Sequence, residues 1–238
     1  MVTEPAQYSS SAEDYTKVIY GLREHGRNSA TTSRIAAKIG VSNSSASEMI
    51  RKLAELGLVE HVPYGEVKLT KEGLRIALHT LRRHRLIELY LVTALGYSWD
   101  EVHAEAEELE HAVSEMFLDR IAELLGDPTV DPHGDPIPTK DGRILAKQTR
   151  VLSELEPGAR GTIARVSDAD PDLLRYLTEC RIGLGEPIEV LRRHPFDGPL
   201  VVRIGTPPAD VVHTFGHAIT DAVFVHGTAG TSVAAVSE

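Results

Sequence analysis

The run Glu101-Val102-His103-Ala104-Glu105-Ala106-Glu107-Glu108-Leu109-Glu110-His111 mixes imidazoles and carboxylates at helical spacing. At about 100° per residue, His103, Glu107, Glu110 and His111 share one stripe. The helical segment before it offers His84 and Glu88 four residues apart. Nitrogen and oxygen donors converging from two helices, with no thiol or thioether among them, suit a divalent transition metal. A solvated acidic face accounts for such a run on one helix; two matched pairs on helices joined by a short turn favour a metal site. A second group, Ser42, Asn43, Ser44, Ser45 and Ser47, opens another helical segment, with Arg51 and Lys52 one to two turns later. Small polar side chains let a helix end approach base edges in a major groove, while cations and capped N–H groups meet phosphates. Serines that merely cap a helix would look the same. The helix before them, and a hairpin after them with Lys68 and Lys71 close by, turn the reading towards DNA.

Composition bounds what these groups can belong to. The 238 residues are 42% hydrophobic and 25% charged, which is a globular balance. No run approaches the roughly 18 to 20 apolar residues of a membrane span, and Met1 to Ser11 lacks the basic start and apolar core of a signal peptide. Cytoplasm is the expected compartment, and no membrane partner is expected. A lone cysteine, Cys180, excludes an internal disulfide and a cysteine-rich zinc framework. The net charge of −10, taken as an average, argues against a polyanion. It is unevenly spread, however: about +1 over residues 1–75, about −9 over 76–138 and about −2 over 139–238. A near-neutral first segment can bind nucleic acid, and the acidic middle can hold cations.

The elements that must position these groups follow from periodicity. Tyr15, Val18, Ile19 and Leu22 mark a helix over Glu13 to Glu24 with Gly26 as its stop, and Ala30 to Lys38 forms a second, shorter one turned at Gly40-Val41. Ser42 to Ser45 cap a third, with Ala46, Met49, Ile50 and Leu53 buried and Gly57 at its end. Two strands, Leu58–Val62 and Val67–Thr70, then flank a tight turn at Pro63-Tyr64-Gly65-Glu66. Helix, helix, turn, helix and hairpin make a winged helix-turn-helix. A long helix from Leu74 to about Leu95, one from Ser98 through His111 and a shorter one from Ser114 to Leu125 follow. Residues 126–142, rich in Pro and Gly, read as a linker or irregular loop. Short β-like runs at Gly161–Val166, Ile188–Leu191, Leu200–Ile204 and Ala222–Val225, interrupted by a helix from Asp172 to Glu179, suggest a small barrel. The fold class is therefore mainly α with small β parts. Expected boundaries are 1–75 for the winged helix-turn-helix, 76–142 for the helical domain with its linker, 143–228 for the barrel and 229–238 for a disordered tail.

Taken together, several motifs resemble the metal-dependent transcriptional repressors of the diphtheria-toxin-repressor and manganese-transport-regulator type. They are Ala12-Glu13-Asp14-Tyr15 with Ile19-Tyr20, the helix of Ser42 to Gly57, Arg83-His84-Arg85-Leu86-Ile87-Glu88, Val102-His103-Ala104-Glu105 with Glu110-His111, and Gly134-Asp135-Pro136-Ile137-Pro138. The resemblance covers nearly the whole chain. It implies a winged-helix domain, a helical dimerisation domain and a Src-homology-3-like barrel, acting as a homodimer on palindromic double-stranded DNA operators. By position it assigns Asp14, Glu107, Glu110 and His111 to a primary, activating metal site, and His84, Glu88 and His103 to an ancillary one. Iron-responsive members usually carry Met and Cys where this chain has Asp14 and Glu107. Hard oxygen donors there point to Mn²⁺, with Fe²⁺ or another divalent ion as the alternative cofactor. Relatives with a barrel can donate oxygen ligands from it to the ancillary metal. In the matching stretch here Asp168 can ligate and Arg165 cannot.

Two further positions depart from relatives. Short manganese regulators with a binuclear site carry another acid one turn after Asp14, where this chain has Lys17. Glu48 stands where relatives often have Gln; an acid there either accepts from a cytosine amine or repels phosphate. The mechanism implied is ligand-linked DNA binding, in which a metal joins Asp14 to Glu107, Glu110 and His111 and, without it, carboxylate repulsion loosens them. Glu108 and His111 also form an E-x-x-H, as in helical-bundle di-metal enzymes, but no second one accompanies it. A DNA-binding protein with a small organic effector is the third reading. No nucleophile, triad or phosphate-cradling loop argues for an enzyme, and His194, His213, His217 and His226 read as surface or barrel residues.

Overall fold

The computed structural model describes residues 8–24, 29–61, 65–145 and 148–227, and these form two compact units. The first gathers the described residues within Met1–Ile87, Ala106–Thr129 and Ile137–Leu145, and the second those within Glu88–Glu105, Val130–Pro136 and Ala146–Glu238.

The first unit opens with α1 (Ser10–Glu24), α2 (Thr32–Ile39) and α3 (Asn43–Glu55). α1 starts at Ser10, three residues before the expected Glu13. The side chain of Thr31 caps α2, and Gly40 ends it in the left-handed region at φ 80°. Ser42 then caps α3, its Oγ accepting from the Ser45 N–H at 3.1 Å. Ala46, Ile50 and Leu53 of α3 are buried against Ile19, Ile35, Leu58 and Val67, each large side chain contributing about 1.5–3 kcal/mol. The hairpin is antiparallel, β1 (Val59–His61) on β2 (Val67–Leu69), with Val59 opposite Leu69. Thr70 caps the next helix by accepting from the Gly73 N–H at 3.1 Å. A Cβ on Gly73 would stand 1.9 Å from the Leu58 carbonyl oxygen, so only glycine lets that helix start so close to the hairpin.

That helix, α4 (Lys71–Leu95), is buried on nearly every side through its middle. Its buried charges are therefore paired: Arg85 Nη2 lies 3.1 Å from Glu24 Oε2, and His84 Nδ1 lies 2.7 Å from Glu110 Oε2. The expected helix from Ser98 through His111 is shorter, α5 (Val102–Leu109). At its start Ser98 Oγ donates to Glu101 Oε2 (2.7 Å). At its end the Ala112 N–H donates to the Leu109 carbonyl (2.9 Å), so Glu110 and His111 stand in a tightened turn beyond the helix. α6 (Glu115–Leu124) follows, capped by Ser114. It buries Leu118, Ile121 and Ala122 and leaves Met116, Phe117 and Leu124 exposed.

Among its described residues the second unit holds six antiparallel strands: β3 (Arg150–Val151), β4 (Arg160–Val166), β5 (Pro187–Arg193), β6 (Leu200–Ile204), β7 (Val211–Phe215) and β8 (Val223–Gly227). They pair in the order β3-β8-β4-β5-β6-β7. Alternate residues such as Ile188 and Val190, or Leu200, Val202 and Ile204, turn into one core with Leu174 and Leu177 of α7 (Pro171–Glu179). Register shifts between Ile163 and Arg165, and between Val190 and Arg192, bend the sheet over that core. Two strands escaped the periodicity. β3 has only two residues, and β7 exposes Val211 and Val212 while its His213 and Thr214 dilute the pattern. α8 (His217–Thr220) connects β7 to β8.

The Pro/Gly-rich stretch is irregular, as expected, but it is packed. Asp131, His133 and Asp135 are buried in the second unit, where Asp131 Oδ1 accepts from the backbone N–H groups of His133 and Asp135, both at 2.9 Å. Gly134 has φ +89°, and a Cβ there would meet the Ala164 carbonyl oxygen at 2.1 Å. Gly26, the tip of the hairpin at Pro63-Tyr64 and the tail of residues 229–238 lie outside the described residues.

Candidate metal centre

α1 places Asp14 and Lys17 one turn apart on its inner side, and the turn after α5 brings Glu110 and His111 towards them. Asp14, Glu110 and His111 each offer one ligand atom within 4.8 Å of the others, and so do His84, Glu107 and Glu110. The two triads share Glu110, whose side chain is fully buried. His111 Nε2 stands 2.7 Å from Asp14 Oδ1 and 3.5 Å from Glu110 Oε1, while its Nδ1 faces Glu13 Oε2 at 3.2 Å. Glu13 is in turn held by Arg83 at 3.4 Å. The carboxylate behind the ring fixes the orientation in which Nε2 faces the other donors.

Lys17 changes the electrostatics expected of this cluster. Its Nζ donates to Glu107 Oε1 (2.9 Å) and to Glu110 Oε1 (2.5 Å), and the residue is buried. The carboxylates of this cluster therefore do not face one another alone, because an ammonium and an imidazole tie α1 to the turn after α5. The titration of the groups follows this arrangement. Burial alone would raise the Glu110 carboxyl, but the hydrogen bond from His84 and the charges of His84 and Lys17 hold it below its ordinary value. Burial opposes the charge on Lys17, yet Glu110 and Glu107 outweigh it and raise its pKa. Asp14 is raised by burial, against the pull of His111 and Lys17. Oxygens that accept a buried ammonium at these distances, with an imidazole beside them, form a hard donor set that fits a divalent cation.

In the second unit Glu88 and His103 also meet. His103 Nδ1 lies 3.2 Å from Glu88 Oε1 and 3.5 Å from Asp168 Oδ2. Glu88 belongs besides to a fully buried triad with Asp131 and His133, whose ligand atoms lie within 4.8 Å of one another. His133 Nε2 donates to the Trp99 carbonyl oxygen (2.7 Å), which leaves Nδ1 as a buried lone pair with no hydrogen-bond partner among the described residues. His84, one turn before Glu88 on α4, belongs to the first unit and sits against Glu110.

The single stripe expected along α5 is thus divided. His103 serves the second unit's cluster, and Glu107, Glu110 and His111 serve the first's. Glu108, the acid of the E-x-x-H, is exposed and joins none of the clusters among the described residues. Sequence reading missed Glu13, Asp131 and His133 as members, and took Lys17 only as a departure. The alternation Asp131-x-His133-x-Asp135 was the available signal.

On α3 the residues Ser42, Asn43, Ser44, Ser45, Ser47, Glu48, Arg51 and Lys52 are all exposed. The Oγ of Ser42 is engaged by the cap and by the hydroxyls of Ser44 (2.8 Å) and Ser45 (2.9 Å), so it stabilises the helix end that the others present.

Residues 7–67 match the iron dependent repressor N-terminal DNA binding domain, residues 70–139 the iron dependent repressor metal binding and dimerisation domain, and residues 150–209 the FeoA domain. The iron-dependent repressor IdeR of Mycobacterium tuberculosis is 36% identical over 128 residues, which is 54% of this chain and 55% of that protein, so the match spans about half of each. A solved manganese-dependent transcriptional repressor in complex with manganese is 47% identical, covering 91% of this chain and 100% of that one with a TM-score of 0.87. The structure of ScaR with bound Cd²⁺ is 34% identical, covering 90% of this chain and 98% of that one, with a TM-score of 0.76. With matches running through the DNA-binding, metal-binding and FeoA segments, the chain belongs to the iron-dependent repressor family of metal-dependent, DNA-binding transcriptional repressors.

Proposed function

We propose that this chain is a cytoplasmic, manganese-activated repressor that binds palindromic operators of metal-homeostasis genes as a homodimer. The observation that carries the reading is the meeting of Asp14 on α1 with Glu110 and His111 after α5, in a cluster of oxygen and nitrogen donors without sulfur. Asp14, Glu107, Glu110 and His111 are the residues that would hold the activating ion, and Glu13 positions His111. A divalent ion held by these residues would supply positive charge shared between the helix that opens the winged-helix segment and the turn that follows α5. The protein's own part is to present these donors together, so that ion binding favours one arrangement of α1 and hence of α3.

Glu88, His103 and Asp168, joined by Asp131 and His133, form the proposed ancillary site, to which the family resemblance also assigns His84. Along α3, Asn43, Ser44, Ser45, Ser47 and Glu48 face the bases and Arg51 and Lys52 the phosphates, with Ser42 as the cap. Residues 1–75 make the DNA-reading part, 76–142 the helical part and 143–228 the β part in this proposal. Phe117 and Leu124, seven residues apart on one exposed face of α6 with Met116 beside them, support a subunit contact there. In a two-fold dimer the recognition helices reach half-sites about one DNA turn, roughly 34 Å, apart.

Iron is the second reading, favoured by relatives known as iron-dependent repressors, such as IdeR. Carboxylates at positions 14 and 107 weigh against it, since hard donors remove the preference for later, softer metals. The test is fluorescence-anisotropy binding to fragments upstream of metal-transporter genes, with chelator, Mn²⁺ or anaerobic Fe²⁺ at fixed salt. Tight binding with Mn²⁺ alone supports the reading. Binding with Fe²⁺ alone replaces the metal, and metal-independent binding removes the linkage.

A further inference from the structure

The first turn of α3, where a helix N-terminus favours a negative side chain, holds no acid. Over residues 42–54 the only acid is Glu48, one turn further on, with Arg51 and Lys52 three and four residues after it. That spacing suits an ion pair along the helix. Among the described residues, however, no ion pair or hydrogen bond joins the Glu48 carboxylate to either cation, and all three side chains are exposed. At about 100° per residue Glu48 lies about 200° from both Ala46 and Ile50 of the buried stripe, so it points away from the core. Helical side chains lean towards the N-terminus, which carries this carboxylate over the turn of Ser44 and Ser45. In a helix-turn-helix that end of the recognition helix meets base edges in the major groove, and cations a turn behind it meet phosphates.

An acid set among phosphates weakens binding to every duplex unless a base offsets it by donating a hydrogen bond. An ionised carboxylate only accepts. In the major groove guanine shows two acceptors, N7 and O6, and thymine the O4 acceptor beside a methyl group. Adenine sets the N7 acceptor next to its N6 donor, so a carboxylate gains one contact there and meets repulsion beside it. Cytosine alone offers a donor, its N4 amine, with no acceptor of its own.

Resting on the reading of α3 as the helix that faces the bases, we propose that Glu48 is a specificity-determining residue that selects cytosine at one position of each operator half-site. It acts as much by rejecting guanine and thymine as by bonding cytosine, and it lowers affinity for non-cognate DNA. Glutamine at this position keeps the length, removes the charge and adds a donor, which matches the N6 and N7 of adenine. Alanine removes both the contact and the repulsion.

The experiment selects from a randomised double-stranded DNA library with the full chain at fixed salt, in Mn²⁺ and in anaerobic Fe²⁺, so that base preference is read with whichever ion supports binding. Circular dichroism checks that each variant folds. Wild-type selections should show cytosine at one position of each half-site, favoured at least about fivefold over guanine and thymine. Glu48→Gln should move that position to adenine and leave the others as they are. Glu48→Ala should lose the preference there and bind non-cognate duplexes more tightly in fluorescence anisotropy. Lys52→Ala should weaken binding to all sequences and keep the cytosine. Wild type and both Glu48 variants selecting the same bases at every position, with affinity alone changed, overturns the role of Glu48 and leaves α3 as the DNA-reading helix. No enrichment by wild type with either ion overturns that reading as well.

Discussion

Replacing Glu110 with Ala removes the carboxylate on which both triads of the first unit depend. Its oxygens accept from Lys17 at 2.5 Å and from His84 at 2.7 Å, and the side chain is fully buried. Taking one partner from a buried ion pair costs about 3–5 kcal/mol. Lys17 keeps Glu107 at 2.9 Å, and because that carboxylate is 41% exposed it compensates only in part, which brings the loss to about 2–3 kcal/mol. For a chain of this size that is a fall in Tm of about 4–12 °C. The assay is thermal unfolding with chelator present, followed by far-UV circular dichroism, with fluorescence of the lone tryptophan, Trp99, as a separate probe of the second unit. The pH dependence has a definite sign. Although burial opposes ionisation of Glu110, His84 and Lys17 hold its folded-state pKa below the ordinary 4.5, so its stabilisation is present above that value and is lost as pH falls through the folded pKa. The gap between wild type and Glu110→Ala should hold from pH 7 to about 5 and close in more acid solution. A helical midpoint unchanged by the substitution, or a gap that widens on acidification below 4.5, refutes the reasoning.

Other substitutions separate the parts of the molecule. Asp14→Ala should weaken Mn²⁺-activated operator binding by at least about tenfold, or 1.4 kcal/mol, while leaving circular dichroism and dimer mass unchanged; anisotropy and light scattering read the two halves of that statement. Lys52→Ala should lower affinity for operator and non-specific DNA alike and reduce the slope of log K against log salt by about 1, which a salt titration measures. Gly134→Ala puts a Cβ 2.1 Å from the Ala164 carbonyl oxygen at φ +89° and should cost the second unit about 2 kcal/mol or more. Trp99, whose indole stacks near the His133 ring at 6.2 Å, reports that loss through its fluorescence in urea unfolding.

Most of the helical architecture was legible because its signals are local. The cap at Ser42, the left-handed Gly40 and the apolar stripe of Ala46, Ile50 and Leu53 specify the turn and α3 from a few neighbouring residues. The candidate metal donors Glu107, Glu110 and His111 were legible in type and neighbourhood, but the helix expected to carry them ends at Leu109, where the tightened turn overrides the extrapolated 100° spacing. Asp131 and His133 were passed over because Pro and Gly around them mark a loop, and burial of a loop depends on what packs over it. β7 was lost for a related reason: as an edge strand it exposes Val211 and Val212, so the inward and outward alternation that identifies a strand is weak.

Lys17 is the instructive case, since its type was visible and its meaning was not. Read along the chain, a lysine one turn after Asp14 is simply a residue that cannot ligate. In the fold it is a buried cation hydrogen-bonded to two carboxylates from a segment some 90 residues away. The protein's own charges consequently tie the carboxylates of this centre to one another. An activating ion must compete with the His111–Asp14 and Lys17–Glu110 contacts for the same oxygens. The free energy available to bias α1 is then the difference between two tied arrangements, not the full energy of ion binding. On this account metal loading alters the stiffness and exact placement of α1 more than its attachment. Hydrogen exchange would find α1 protected in chelator and slowed further by Mn²⁺; exchange at the unfolded rate in chelator would show that the ties made by Lys17 and His111 do not hold it.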